Sequence, residues 1–403
     1  MGLEFDVVVV GAGQAGLSVS HELAEAGVEH VVLERDGVGA SWADRWDSFC
    51  LVTPNHTIRL PGGGYAGGDP HGFLAGAEVN SYLQGYAAAF DAPVRTGVDV
   101  QSLRQPAGGR LELGTGEDTI TARAVVVATG AYQRALRPAP LAALPPWLTV
   151  LDAEDYRNPG ALPDGAALVV GSGQSGCQIA EELCLAGRHV VLACGRAPWV
   201  PRRLDGRDII DWLLETPFLD TSVADLPDPK ARLAANFQST GVAGGHDLSY
   251  RTLSGLGVDL VGRLIGVDDA TAAIADDLAE SVAFGDARYA DVRAVIRATC
   301  RARGVAAPEM PDPPPFTVAG RDRLSLRGFG SVIVAAGYRP AYRDWIQHPE
   351  AFDDLGFPLH RDGASTTVAG LYFVGVHFLR KRKSSLLVGV GEDAGLVAEQ
   401  IAG

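Results

Sequence analysis

Gly11, Gly13 and Gly16 stand at G-x-G-x-x-G spacing, and Gly171, Gly173 and Gly176 repeat that spacing later in the chain. Glycine at these three places serves a tight turn, close approach of the backbone to a pyrophosphate, and close packing of helix on strand. The chemistry that calls for such a loop is dinucleotide binding, with the pyrophosphate facing the free N–H groups of a helix N-terminus. Glu34, followed by Arg35, closes the first unit about 20 residues on, where a carboxylate meets a ribose hydroxyl and disfavours a 2′-phosphate. The second unit ends differently, at Cys194-Gly195-Arg196, and exchanging a carboxylate for a guanidinium favours a 2′-phosphate. Arg202 and Arg203 are expected to complete that phosphate clamp, while Gln174 and Ser175 line the same turn. Two fingerprints mean two nucleotides.

The elements that must position these loops are legible around them. Val7 to Val10 form a β-branched run too short for an ordinary helix and suited to a parallel strand buried on both faces. Leu17, Leu23, Ala24 and Ala26 fit a helix lying on the sheet, Gly27 suits its C-terminal cap, and Val31 to Leu33 form the next strand. Ala166 to Arg196 repeats this order. The fold class expected is α/β, with two Rossmann-like dinucleotide-binding domains, the second inserted into the first.

At 403 residues the chain suits two or three domains, and 47% hydrophobic with 21% charged residues is ordinary for a globular protein. There is no run of 18 apolar residues, and the first ten residues lead straight into a strand, so neither a transmembrane helix nor a secretory signal is expected; the expected location is cytoplasmic. A formal charge of −15 argues against nucleic acid or an anionic membrane as partner. The five cysteines, Cys50, Cys177, Cys184, Cys194 and Cys300, show neither C-x-x-C nor metal-ligand spacing. No metal is expected, and disulfide reduction is disfavoured because Cys50 lacks a nearby partner.

Gly37 to Tyr65 is dense in Gly, Pro and aromatics and reads as a long loop leaving the strand end that faces the nucleotide crevice. Trp42, Arg45, Trp46 and Asp47 are expected at the diphosphate end of a bound cofactor, with Thr53, Pro54 and Asn55 further along it. This segment, GASWADRWDSFCLVTPNHTIRLPG, together with the paired fingerprints, resembles the class B flavin-dependent monooxygenases, including YUCCA-type enzymes and bacterial flavoproteins labelled as potassium-transport proteins. The resemblance runs from Val7 to Ala402. It implies FAD at the first fingerprint and NADPH at the second, with residues 1–150 and 319–403 forming the FAD-binding domain and 151–318 the NADPH-binding insert with a helical, substrate-shaping segment.

By the same resemblance Asn55 stands near flavin and nicotinamide, and Gln174 holds the nicotinamide. Thr129 and Gly130 end a strand at an ATG-like crossing, and Ser331 to Pro340, with Gly337, forms a second crossing. Gly375 closes against the flavin side, and Ser384 lies in HFLRKRKSS ahead of a final helix. The family's linker motif ends at Tyr156, but Asp152 occupies its histidine position. The activity implied is transfer of one oxygen atom from O₂, through a C4a-peroxyflavin, to a small heteroatom-bearing or carbonyl-bearing substrate. Two alternatives stay open: an NADPH oxidase that makes only H₂O₂, and a noncatalytic nucleotide-responsive flavoprotein. Substrate and oligomeric state are not legible.

Further along, Val79 to Phe90 reads as a helix, Val98 to Ile120 as a hairpin, Ile209 to Leu214 and Ala231 to Phe237 as short helices, Val258 to Val267 as a strand and Asp276 to Arg303 as mostly helical.

Overall fold

The computed structural model describes residues 3–116, 118–130, 132–234, 236–317 and 320–403. The expected boundary between residues 318 and 319 falls outside them. Among the described residues most strands belong to two sheets. The first has a parallel centre in the order Leu371–Phe373, Thr119–Val127, Leu3–Val10, His30–Leu33, Val94–Arg95. Val7, Val8 and Val9 are fully buried there, as a β-branched run covered on both faces requires. Register places Val7 beside His30 on one side and Ala124 on the other. The Val98 to Ile120 region becomes an antiparallel meander, Ser102–Arg104 on Leu111–Gly114 on Thr119–Val127. The helices Gln14–Glu25 and Val390–Ala402 pack together against the same core through Leu17, Leu23, Val390, Ala394 and Val397.

The second sheet is parallel throughout, in the order Thr149–Asp152, Phe329–Val334, Ala166–Val170, Val190–Ala193, Asp259–Val261. Its glycine-turn helix is Gln174–Leu185, and the long helix is Leu278–Ala302. The chain passes between the sheets twice, and the two passages pair with each other: Arg134–Ala135 lies antiparallel to Tyr338–Arg339.

Two local expectations are corrected. Val258 to Val267 is two strands, because Gly262 turns the chain where a side chain would strike the Ala275 carbonyl; the second piece, Leu264–Asp268, joins a separate antiparallel sheet. Among the described residues of 231–237 there is no α-helix. Pro229 opens a single 3₁₀ turn, Pro229–Leu233, and further on Gln238 N–H donates to Pro198 O in a bridge with Trp199.

Candidate functional site

Each glycine turn is made by backbone demands that other residues fail. Gly11 and Gly171 both adopt φ +105°, and a Cβ on Gly16 or Gly176 would overlap the carbonyl oxygen of Gly11 or Gly171. Nothing lies within 4 Å of where a Cβ on Gly13 would stand, which leaves the cradle open for phosphate. Both helices therefore begin with free N–H groups above an open loop, and the residues present fit two dinucleotides.

The two turns are tied down with opposite polarity. Glu34 accepts from Ala12 N–H at 2.7 Å and from Asp36 N–H at 3.0 Å, so its carboxylate stands at the mouth of the first turn. In the second turn Ser172 Oγ accepts from Gly195 N–H at 2.8 Å, and no carboxylate takes part. Arg196 beside it is exposed. Arg35 is exposed too, and its ion pair with Asp36 raises its pKa.

Around the first turn, Trp42 Nε1 donates to Gln14 Oε1 at 3.0 Å, and Gln14 Nε2 donates to Ser385 O at 3.2 Å. The long loop and the C-terminal segment thus meet at the start of the first helix. Gly375 lies against Ala15, which a Cβ there would strike. Among the described residues Arg45 Nε is sequestered without a partner, and its guanidinium sits 5.6 Å from the Phe49 ring centre, an environment that would suit a diphosphate. Thr53 and Ser175 are partly buried, while Thr129 is exposed and its hydroxyl accepts from Gln133. Gly130 and Gly337 occupy the two crossings with φ +85° and +93°. At the second turn Gln174 Nε2 donates to Phe237 O at 3.1 Å.

Five of the expected site residues are engaged within the protein itself. Trp46, 4% exposed, belongs to the core of the second sheet with Tyr156 and meets Phe49 edge-on at 5.0 Å. Asn55, 2% exposed, spends its amide inside its own loop: Nδ2 donates to Asp69 O and Oδ1 accepts from Leu74 N–H. Arg202 is buried in an ion pair with Asp208 and donates also to Val52 O and Ser239 Oγ, so it is no free phosphate ligand. Ser384 caps the preceding turn, accepting from Arg380 and Lys381 N–H groups. Arg203 is likewise spent on Gly244 O and Gly245 O.

Tyr156 is fully buried and donates to Glu182, which with burial pushes its phenol up. Asp152 pairs with Arg137. The His246, Asp247 and Tyr250 group does no joint chemistry: His246 pairs with Glu181, Asp247 accepts from Arg202 N–H, and Tyr250 donates to Gly195 O. Among the described residues no group of His, Cys, Asp or Glu is placed to hold a metal, and no helix is long and apolar enough to cross a membrane. Burial raises the thiols of Cys50, Cys177, Cys184 and Cys194, the opposite of what a redox-active thiolate needs.

Sequence reasoning missed Gln14, Phe218 and Phe237, and it pointed to the HFLRKRKSS segment without separating His377 and Arg382 within it. Gln14 was detectable as the second x of the first fingerprint. The others come together only through tertiary structure, between the segment that holds Ser385 and the segment that holds Phe237.

Residues 8–210 match the family model described as pyridine nucleotide-disulphide oxidoreductase. An uncharacterized CzcO-like oxidoreductase of Geobacillus kaustophilus is 29% identical over 391 residues, covering 96% of each chain. The probable indole-3-pyruvate monooxygenase YUCCA3 of Arabidopsis thaliana is 30% identical over 217 residues, 51% of this chain and 49% of that one. In fold, the flavin-containing monooxygenase of Stenotrophomonas maltophilia matches with a TM-score of 0.68 at 20% identity, covering 99% of this chain and 98% of that one. With both turns in place, the chain belongs to the pyridine nucleotide-disulphide oxidoreductase family and shares the fold of flavin-containing monooxygenases.

Proposed function

We propose that this chain, with FAD in the first glycine turn and NADPH in the second, transfers one oxygen atom from O₂ to a small organic substrate. The observation that carries this reading is the convergence of the two turns. Gln14 at the first is bonded to Ser385, Gln174 at the second is bonded to Phe237, and between those two segments Arg382 lies against Phe218, which stacks on Phe237. When bound, the cofactors supply the reducing equivalents and the activation of O₂. The protein's own contribution is placement and exclusion of water. Residues 1–150 and 319–403 would form the FAD-binding body and 151–318 the NADPH-binding insert.

Gly11, Gly13 and Gly16 bring backbone N–H groups to the first pyrophosphate, and Glu34 holds the adenosine ribose. Gly171, Gly173 and Gly176 do the same in the second turn, with Arg196 at the 2′-phosphate. Gln174 keeps its carboxamide oxygen for the nicotinamide while its nitrogen is anchored on Phe237 O. Asn55 acts at one remove, holding the loop of Thr53 and Pro54 in shape. The cytoplasm is the compartment we assign, in line with the bacterial relatives.

The test is isotopic. Holoenzyme supplied with NADPH, ¹⁸O₂ and a panel of amines, sulfides, ketones and organic acids should place one ¹⁸O in a product. NADPH consumption recovered wholly as H₂O₂ with every substrate would instead establish an oxidase, the outcome that Asp152, held by Arg137 in place of the motif histidine, keeps open. No NADPH consumption would leave a nucleotide-responsive binding protein.

A further inference from the structure

Four consecutive cations, Arg380, Lys381, Arg382 and Lys383, precede the final helix. Three of them have two carboxylates each. Arg380 pairs with Asp362 and Asp393, and Lys381 and Lys383 both reach Asp220 and Glu392. Arg382 has none: among the described residues its guanidinium makes no ion pair and no hydrogen bond, and its Nε is sequestered from solvent without a partner. Its carbon Cζ lies 4.3 Å from the Phe218 ring centre and 4.8 Å from that of Phe378.

Aromatic faces return only part of the hydration that a cation loses on burial. The deficit shows in Arg382 itself, whose pKa burial alone brings down to about 10. A second polar atom beside it is also unsatisfied among the described residues. His377 Nδ1 is buried without a partner, and burial together with the Arg382 charge pushes this imidazole down to about 4, so it is neutral. Phe378 between them holds a left-handed backbone, φ 54°, a conformation that a bulky side chain keeps only where its surroundings impose it. The position is fixed at both ends: Arg382 N–H donates to Thr221 O at 2.8 Å, and Phe218 stacks on Phe237, ring centres 5.4 Å apart.

We propose that Arg382, framed by Phe218 and Phe378 with His377 beside it, binds the carboxylate of the substrate, and that the substrate class is a planar, apolar organic acid carrying one negative charge. This deepens the monooxygenase reading and rests on it. One unpaired guanidinium matches a monoanion, and its planar fork matches the two oxygens of a carboxylate. Phosphate is provided for elsewhere, at the glycine turns. The stacked phenylalanines offer the flat wall that an aromatic or extended apolar body requires. The large open cleft of about 780 Å³ near His56 and Lys383 offers no such frame: His56 pairs with Asp211, Arg207 with Glu215 and Lys383 with Glu392, and its remaining cation, Arg59, stands exposed with no aromatic ring against it among the described residues.

The experiment is calorimetric titration of the FAD-loaded protein with phenylacetate and with its uncharged counterpart phenylacetamide, on wild type, Arg382→Met and Arg382→Lys, with FAD content read from visible absorbance. Wild type should bind the acid about tenfold or more tightly than the amide. Arg382→Met should abolish that preference with FAD retained, and Arg382→Lys should keep part of it. Equal binding of acid and amide by wild type, no binding of phenylacetate, or undiminished preference in Arg382→Met would overturn the assignment. Loss of FAD from both variants would overturn it too, because Arg382 would then serve the flavin. Binding heat requires no oxygen transfer, so failure here and failure of the ¹⁸O experiment are separately visible.

Discussion

Ala12 N and Glu34 Oε2 lie 2.7 Å apart, joining the tip of the first glycine turn to the end of the neighbouring strand. One carboxylate thereby holds the loop and, in the proposed arrangement, would also hold the ribose. Glu34→Ala removes both functions. Loss of charge-assisted hydrogen bonds of this kind costs about 1.5–3 kcal/mol, so FAD affinity should fall about tenfold to a hundredfold. Titration of apoprotein with FAD measures it, and unchanged affinity would move the ribose away from Glu34.

Arg196 stands exposed where the second copy lacks a carboxylate. Arg196→Gln should raise KM for NADPH about tenfold or more while leaving KM for NADH unchanged, since only the former carries the 2′-phosphate. Steady-state NAD(P)H oxidation decides this. Equal effects on both coenzymes would assign Arg196 to something other than that phosphate.

Arg202 serves stability. Removing one partner of its buried pair with Asp208 leaves an uncompensated charge, and Arg202→Met should cost about 3–5 kcal/mol in denaturant unfolding. In the folded fraction KM for NADPH should stay as it was. A specific rise in that KM would return Arg202 to the clamp.

Asn55→Ala removes the acceptor for Leu74 N–H and the donor to Asp69 O, at a cost of about 1–3 kcal/mol. Product formed per NADPH consumed should not change. A fall in that ratio with no loss of stability would place the side chain at the reacting centre.

These corrections show what could be read early and what could not. The glycine triplets were legible because their demands are local: Gly16 must clear Gly11 five residues back. So were Val7 to Val9, whose burial follows from an unbroken β-branched run. The pairing of Arg202 was not legible, because nothing in its neighbourhood separates an arginine aimed at solvent from one folded back on Asp208. Within the run Arg380 to Lys383 the four cations look alike. What distinguishes Arg382 is the distribution of Asp220, Asp362, Glu392 and Asp393, some of them far off in sequence.

His377 adds a pH dependence. Its ordinary value of 6.5 falls to about 4 in the folded state, so between those limits the unfolded chain binds more protons there. The stability involved is present above pH 6.5 and is lost as pH falls toward 4, at most about 3 kcal/mol. Burial also lowers His30 and His360, which add to the same slope. Urea midpoints for His377→Gln should therefore fall less steeply across this window than those of wild type. Parallel curves would show that His377 is not held neutral.

The pairing of Arg134–Ala135 with Tyr338–Arg339 has a consequence for how such a chain can change over generations. Everything between those two short strands leaves and returns through one gate, with its ends held side by side. The intervening body can lengthen, shed segments or exchange its coenzyme preference without shifting the pairing of Leu3–Val10 with Thr119–Val127. Change at the surface of the intervening body is thereby kept away from the host sheet, while Trp46, Val52 and Arg382, which touch that body, mark where the two must change together.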